Sequence, residues 1–272
     1  AKLAWVKENE PEVFSQIYKV MLPGDYIAMQ LSSEITTSIA ALSEGIFWDF
    51  KNNCLSKDIT QHFGFEASIF PNIQEVFSHH GALSKTVAST LSLKAGIPIS
   101  YKAGDQPNNA LSLNVLEPGE VAATAGTSGV IYGVGDTLSY DLASRVNSFA
   151  HINHSATAHR IGMLLCINGT GILNSWIKKY VGANYDYSTM NQMASTVASG
   201  SDGITILPFG NGAERIFNNK IIDAQILGLD LNKHSAAHLF RAAQEGIAFA
   251  FRYGLDIMRE NKLQPTMIKA GK

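Results

Sequence analysis

Two short segments carry residue types that do chemistry. Ala103-Gly104-Asp105-Gln106-Pro107-Asn108-Asn109-Ala110 sets one acidic residue at the end of an apolar, strand-like run, Ile97-Pro98-Ile99-Ser100-Tyr101. Ala125-Gly126-Thr127-Ser128-Gly129 is a turn of small residues between two β-type runs, residues 120–124 and 130–132. A lone carboxylate accepts a proton from a hydroxyl. A Gly-Thr-Ser turn offers backbone N–H groups and hydroxyls to a phosphate. Together they point to phosphoryl transfer to an alcohol, in which positioning and charge stabilisation supply most of the catalysis. Each segment also has an ordinary reading. Asp105, just ahead of Gln106-Pro107, reads equally as the N-cap of a helix. Gly-Thr-Ser-Gly between strands reads equally as a hairpin turn that needs no ligand.

Further along, Gly169-Thr170-Gly171 opens a helix after the strand-like run 160–166. That is either an anion or nucleotide site or plain strand-to-helix punctuation. Phe209-Gly210-Asn211-Gly212-Ala213-Glu214-Arg215 contains an Asn-Gly turn. The eight histidines show neither a cysteine partner nor HExxH spacing and read as structural or solvated. Trp5 and Trp176 read as packing residues.

These groups need a scaffold, and the hydrophobic periodicity supplies one. Residues 1–96 hold helical patterns at 11–22, 24–32 and 57–63, with a strand-like run at 45–50. From Ile97 onward strands are predicted near 97–103, 120–125, 129–134, 161–167 and 204–207. Helices are predicted near 107–115, 169–181, 187–198 and 235–260. The last carries an apolar stripe of Ala236, Leu239, Ala243, Ile247, Ala250 and Tyr253 at helical spacing. Strands alternating with helices indicate an α/β domain. At 272 residues and 46% hydrophobic, the chain can bury one large core or two moderate ones. A net charge of -2 gives no electrostatic footprint for nucleic acid or an anionic membrane. Cys54 and Cys166 lie far apart and read as free thiols rather than a disulfide or metal site. With no bilayer-length apolar run and no secretory signal, a cytoplasmic location is the expectation.

The chain resembles the FGGY carbohydrate kinases, and within them the xylulokinases. Residues 2–9 (Lys-Leu-Ala-Trp-Val-Lys-Glu-Asn) look like the core of the family's first signature. Ala103–Gln106 looks like its catalytic segment and Ala125–Ser128 like its phosphate turn. Residues 224–229, continuing to 238–245, are similar to the second signature, except that Gln244 stands where the pattern has an apolar residue. The resemblance implies a ribonuclease H-like (actin-like ATPase) α/β kinase fold, two domains with a cleft between them. Residues 1–96 would be the second half of the N-terminal sugar-binding domain and 97–272 most of the C-terminal ATPase domain. It implies ATP with Mg²⁺, and a small-molecule sugar as acceptor, D-xylulose first and glycerol, ribulose, gluconate or fuculose behind it. Asp105 would be the base and Gln106 a sugar contact. Gly126, Thr127, Gly171, Ser175 and Gly271 would contact the nucleotide, with Gly271 at the start of the adenosine loop. The resemblance also admits a homodimer. The family's early Asp-x-Gly-Thr phosphate loop and early sugar-binding segment have no counterpart here. On that ground the chain reads as the middle of a kinase of roughly 500 residues.

Two other classes compete. A non-catalytic sugar or nucleotide sensor has no need of the carboxylate at Asp105. An aspartate-nucleophile phosphatase needs an Asp-x-Asp pair after its first strand, and none follows residues 97–103.

Overall fold

The computed structural model describes residues 1–271, which form two compact units. The first comprises Ala1–Asn108 and Phe149–Arg160; the second comprises Asn109–Ser148 and residues 161–271.

The first unit begins with helices α1 (Lys2–Asn9), α2 (Pro11–Ser15) and α3 (Pro23–Ser32), the last two opened by proline in the first turn. Strand β1 (Thr36–Ser38) leads into α4 (Ile39–Glu44), and the hairpin β2 (Trp48–Asp49) and β3 (Cys54–Leu55) into α5 (Lys57–Phe63). Strand β4 (Asn72–Gln74) pairs parallel with β1, and α6 (Lys85–Leu91) follows. Ser38, Ser56 and Ser84 cap α4, α5 and α6 by accepting from the N–H three residues on. The core of this unit packs Leu42, Phe65 and Phe70 with Ala4 and Phe47. The Phe47 and Phe70 rings meet edge to face at 4.8 Å. The helix expected to reach residue 22 stops at Ser15, because the chain turns to pair across the unit. The Val20 N–H donates to Ile69 C=O and Lys19 Nζ to the carbonyls of Ser68 and Phe70.

The strand expected over 97–103 is not one. Pro98 makes a single bridge to Ala82, and a proline has no N–H with which to extend a ladder. Instead His80 and Leu83 donate to the carbonyls of Ile99 and Ile97, and Ile99 donates to Gly81. These bonds tie 97–103 to the first unit, so the units part at Asn108 rather than after Gly96. Helix α7 (Asp105–Ser112) spans that point.

The second unit is built on a five-stranded sheet. Its order is β11 (Met267–Gly271), β5 (Glu120–Ala125), β6 (Gly129–Gly135), β8 (Ile161–Ile167) and the Asn147–Ser148 part of β7 (Asn147–Ala150). Strand β11 lies parallel to β5, whereas β5–β6 and β6–β8 are antiparallel. Helices α8 (Thr170–Tyr180) and α9 (Tyr187–Ser195) follow, then the antiparallel pair β9 (Thr205–Phe209) and β10 (Asp223–Leu227), then α10 (Ala236–Glu260). Val121, Ile131, Leu165 and Ile167 of the sheet bury against Ala250, Ile257 and Met258 of α10. The buried stripe of α10 runs through Ala243, Gly246, Ala250, Gly254 and Ile257. Tyr253, expected in the stripe, is exposed. The two glycines let the helix come close: a Cβ at Gly246 would lie 2.1 Å from the Ile206 carbonyl oxygen. Gln244 donates to Asn191 Oδ1 of α9 at 2.8 Å, which accounts for a polar residue at that point of the second signature.

Trp5 and Trp176, expected to pack in a core, are 57% and 47% exposed. Only Ala4 of α1 is buried, so the Trp5 side of that helix has no partner layer. Among the described residues no helix is long and apolar enough to cross a membrane.

Candidate active site

Asp105 is the first residue of α7, where a carboxylate is favoured by the helix dipole. Its Oδ1 accepts from the adjacent Gln106 N–H at 2.8 Å, and Oδ2 accepts from Gln106 Nε2 at 3.3 Å. The carboxylate is exposed, and the Gln106 amide folds back onto it. Because residue 107 is proline, the first turn lacks one N–H that a capping carboxylate would take.

Asp105 stands at a pocket of about 520 Å³ within the first unit, whose lining includes Asp25, Ser38, Glu44, Lys102 and Gly104. Sequence reasoning passed over Asp25, Glu44 and Lys102. Lys102 and Asp25 form a buried ion pair at 2.9 Å. Lys102 Nζ also donates to the Thr36 carbonyl at 2.7 Å and to Thr36 Oγ1 at 2.9 Å, so all three ammonium protons have acceptors. The other Asp25 oxygen accepts from Thr37 Oγ1 at 2.6 Å. A lysine one residue past an apolar run was the available signal for Lys102; Asp25 looked like any acidic residue in a first helical turn.

Glu44, the last residue of α4, carried no sequence signal at all. A Cβ on Gly104 would lie 2.2 Å from its carboxylate, so glycine is needed for the backbone before Asp105 to pass this side chain. Burial first, then the carboxylates of Asp105 and Asp25, push the Glu44 pKa up to about 7. No hydrogen-bond partner for its carboxyl exists among the described residues.

In the second unit, residues 126–128 turn the chain from β5 to β6. The Gly126 N–H donates to Ser128 C=O at 3.1 Å, whereas the N–H groups of Thr127 and Ser128 have no acceptor among the described residues. Helix α8 begins against this turn: the Ile172 N–H donates to Thr127 C=O at 3.0 Å. A Cβ on Gly171 would sit 1.9 Å from the Gly126 carbonyl oxygen. Gly126, Thr127 and Gly171 are thus brought together. Ser175 is exposed, one turn further along α8. Gly271 ends β11 opposite Thr124 and lines a separate hollow of about 260 Å³ with Thr124 and Ala125. The adenosine loop expected to begin there continues into Lys272, which lies outside the described residues. Trp176 lines an apolar cavity of about 270 Å³ with Gly169, Pro208, Ala224 and Ile226.

Glu214 is a second residue that the sequence did not mark. Fully buried, it accepts from the Asn168 N–H at 3.0 Å and from the Gly169 N–H. Burial pushes its pKa up while those two donors hold it down. Asn168 Nδ2 donates to Ala213 C=O and Asn211 Nδ2 to Asn168 C=O, each at 2.8 Å. The loop 211–214 therefore clamps the start of α8, and the N–H groups that an anion would use at Asn168 and Gly169 already serve a carboxylate. The N–H groups of Thr127 and Ser128, in contrast, remain open.

The first unit thus holds a carboxylate at a polyol-sized pocket, and the second holds a glycine turn with free amides. Residues 1–112 match the N-terminal domain of the FGGY family of carbohydrate kinases, and residues 121–270 match its C-terminal domain. The chain belongs to this family. A xylulose kinase from Haemophilus influenzae is 27% identical over 272 residues, covering 99% of this chain and 54% of that protein. The crystal structure of xylulose kinase from Rhodospirillum rubrum superposes with a TM-score of 0.87 at 25% identity, covering 100% of this chain and 54% of that one. A gluconate kinase from Lactobacillus acidophilus gives a TM-score of 0.88 at 21% identity, with 99% and 54% covered. The chain has the actin-like ATPase fold of these kinases and spans about half the length of the curated relatives it matches.

Proposed function

We propose that this chain forms the acceptor site and the phosphate turn of an ATP-dependent sugar kinase. The acceptor is a ketopentose, D-xylulose first, phosphorylated on a terminal hydroxyl. The observation that carries the reading is the unpaired pair of amides at Thr127 and Ser128 in a family whose other unit presents Asp105 at an open pocket. The xylulose kinases among its relatives, at about a quarter identity, support D-xylulose over other sugars.

Asp105 accepts the proton of the terminal hydroxyl, making its oxygen the nucleophile. Gln106, now on the Asp105 carboxylate, orients that group and offers its remaining amide positions to a neighbouring hydroxyl. The amides of Thr127 and Ser128 take phosphate oxygens, with Gly126 giving the backbone a close approach. Gly171 seats α8 against that turn, and Ser175 and Gly271 flank the nucleotide further out. Bound ATP would supply its γ-phosphoryl group to that oxygen and leave as ADP, and bound Mg²⁺ would spread the charge on the phosphate oxygens. The turn carries no carboxylate, which fits a magnesium ion held by phosphate and water.

The test is ATP-dependent phosphorylation of a sugar panel by the full-length chain, with and without Asp105→Asn. Turnover of D-xylulose that collapses in the variant while sugar binding persists supports the reading. Absence of turnover on every sugar, or full activity in the variant, refutes it.

A further inference from the structure

The charges at the acceptor pocket do not balance. Asp25 is neutralised by Lys102, whose three protons are all committed. Asp105 and Glu44 have no ion-pair partner among the described residues, since Lys102, the cation in the pocket lining, is held by Asp25 and Thr36. The Glu44 carboxyl sits on the Gly104 backbone, next to the proposed base, with no hydrogen-bond partner among the described residues. A partly buried carboxyl left unpartnered is costly unless something else meets it. Resting on the sugar-kinase reading above, we propose that Glu44 is the specificity residue of the acceptor pocket. Its carboxyl takes a hydroxyl of a neutral polyol beside the one presented to Asp105, and its negative charge turns away sugar acids and sugar phosphates.

Both halves of that statement follow from ordinary chemistry. A carboxyl pairs well with a hydroxyl in either protonation state, as acceptor when ionised and as donor when neutral. A second carboxylate brought into the same partly desolvated pocket meets like charge from Asp105 and Glu44, with Asp25 behind its lysine. Repulsion of that kind rejects a wrong ligand more sharply than an added contact selects the right one. The groups facing Glu44 are Asp25 from α3 and Asp105 from the start of α7, with Lys102 on Asp25. The Glu44 pKa near 7 makes this discrimination tunable: weak at pH 6, where the carboxyl is mostly neutral, and full at pH 8.

The experiment uses the full-length chain and its Glu44→Gln variant, with Glu44→Asp as a second variant that keeps the charge. Calorimetric binding of xylitol and of D-gluconate is measured at pH 6 and pH 8, beside kcat/KM for D-xylulose and D-gluconate. The native chain should favour the neutral ligand by about 10- to 100-fold at pH 8, from like-charge repulsion at short range. That preference should shrink at pH 6, and Glu44→Gln should remove both the preference and its pH dependence. Glu44→Asp should retain the preference. Gluconate bound as tightly as xylitol by the native chain, or a preference unchanged in Glu44→Gln, overturns the proposal even where D-xylulose is phosphorylated. Loss of all sugar turnover with normal xylitol binding overturns the kinase reading instead and leaves the binding preference to be judged on its own ratio.

Discussion

Lys102 offers the sharpest test of how the acceptor pocket is held together. Lys102→Met keeps the buried stem and removes the ammonium, leaving the Asp25 carboxylate at 3% exposure with only Thr37 Oγ1 to bond it. It also strips Thr36 of two donated hydrogen bonds, one to its carbonyl and one to its hydroxyl. Breaking a buried ion pair by removing one partner costs about 3–5 kcal/mol, because the survivor is an uncompensated charge. If residues 34–44 and 97–104 open together, that cost accelerates their amide hydrogen exchange by roughly 10²- to 10⁴-fold. Exchange read by peptide mass spectrometry isolates these segments from the second unit, where a single unfolding midpoint does not. The double variant Lys102→Met with Asp25→Asn removes both charges and keeps a group for Thr37, so it should recover at least half of the loss. Protection unchanged within threefold in the single variant, or a double variant as exposed as the sum of its parts, would refute the argument that the charge pair carries the stability.

Two further outcomes follow from the same geometry. Gly171→Ala drives a methyl into the Gly126 carbonyl, a backbone atom that cannot yield, and should cost about 1–3 kcal/mol in the second unit and raise KM for ATP. Gly126→Ala meets nothing closer than 3.6 Å; it should melt like the native chain yet also raise KM for ATP, and normal ATP kinetics in both would remove the turn from the site. Glu44 sets a pH dependence of stability. Below pH 4.5 it is protonated folded and unfolded alike; between 4.5 and about 7 the unfolded chain ionises first, so stability falls; above about 7 the full cost stands. Undiscounted this reaches about 3 kcal/mol, and partial solvent access brings it to about 1 kcal/mol. Thermal melts should therefore show Glu44→Gln more stable than the native chain at pH 8 and equal to it at pH 4, and a gap that does not change with pH would contradict the assigned cause.

Much of the fold was legible because local rules and tertiary structure agree. The predicted strands at 120–125 and 161–167 and the helix at 57–63 match the observed elements residue for residue, each flanked by unambiguous turn or cap chemistry. Agreement failed where long-range pairing overrode local pattern. Residues 16–22 have helical periodicity, but the Val20 N–H goes to Ile69 and Lys19 Nζ to Ser68 and Phe70, and 97–103 looks like a strand but contains a proline that limits it to one bridge. In α10 the sequence stripe favoured Tyr253 because an aromatic counts as apolar. The helix instead buries Gly246 and Gly254, where absence of a side chain is what allows contact with Ile206 and Ile131.

The site divides along a related line. Asp105, Gly126 and Thr127 were visible because their chemistry depends on local sequence: a carboxylate at a helix start and small residues in a turn. Glu44, Lys102 and Glu214 were invisible because their properties arise from neighbours 61, 77 and 46 positions away, namely Asp105, Asp25 and Asn168. A carboxyl at the end of a short helix reads as solvated until folding places it on Gly104 beside a second carboxylate. The motif residues point to the reaction type, while the proposed choice of acceptor rests on residues whose charge only the folded pocket leaves unbalanced. Within that pocket the unpaired carboxyl at Glu44 is the feature proposed to separate neutral from anionic acceptors.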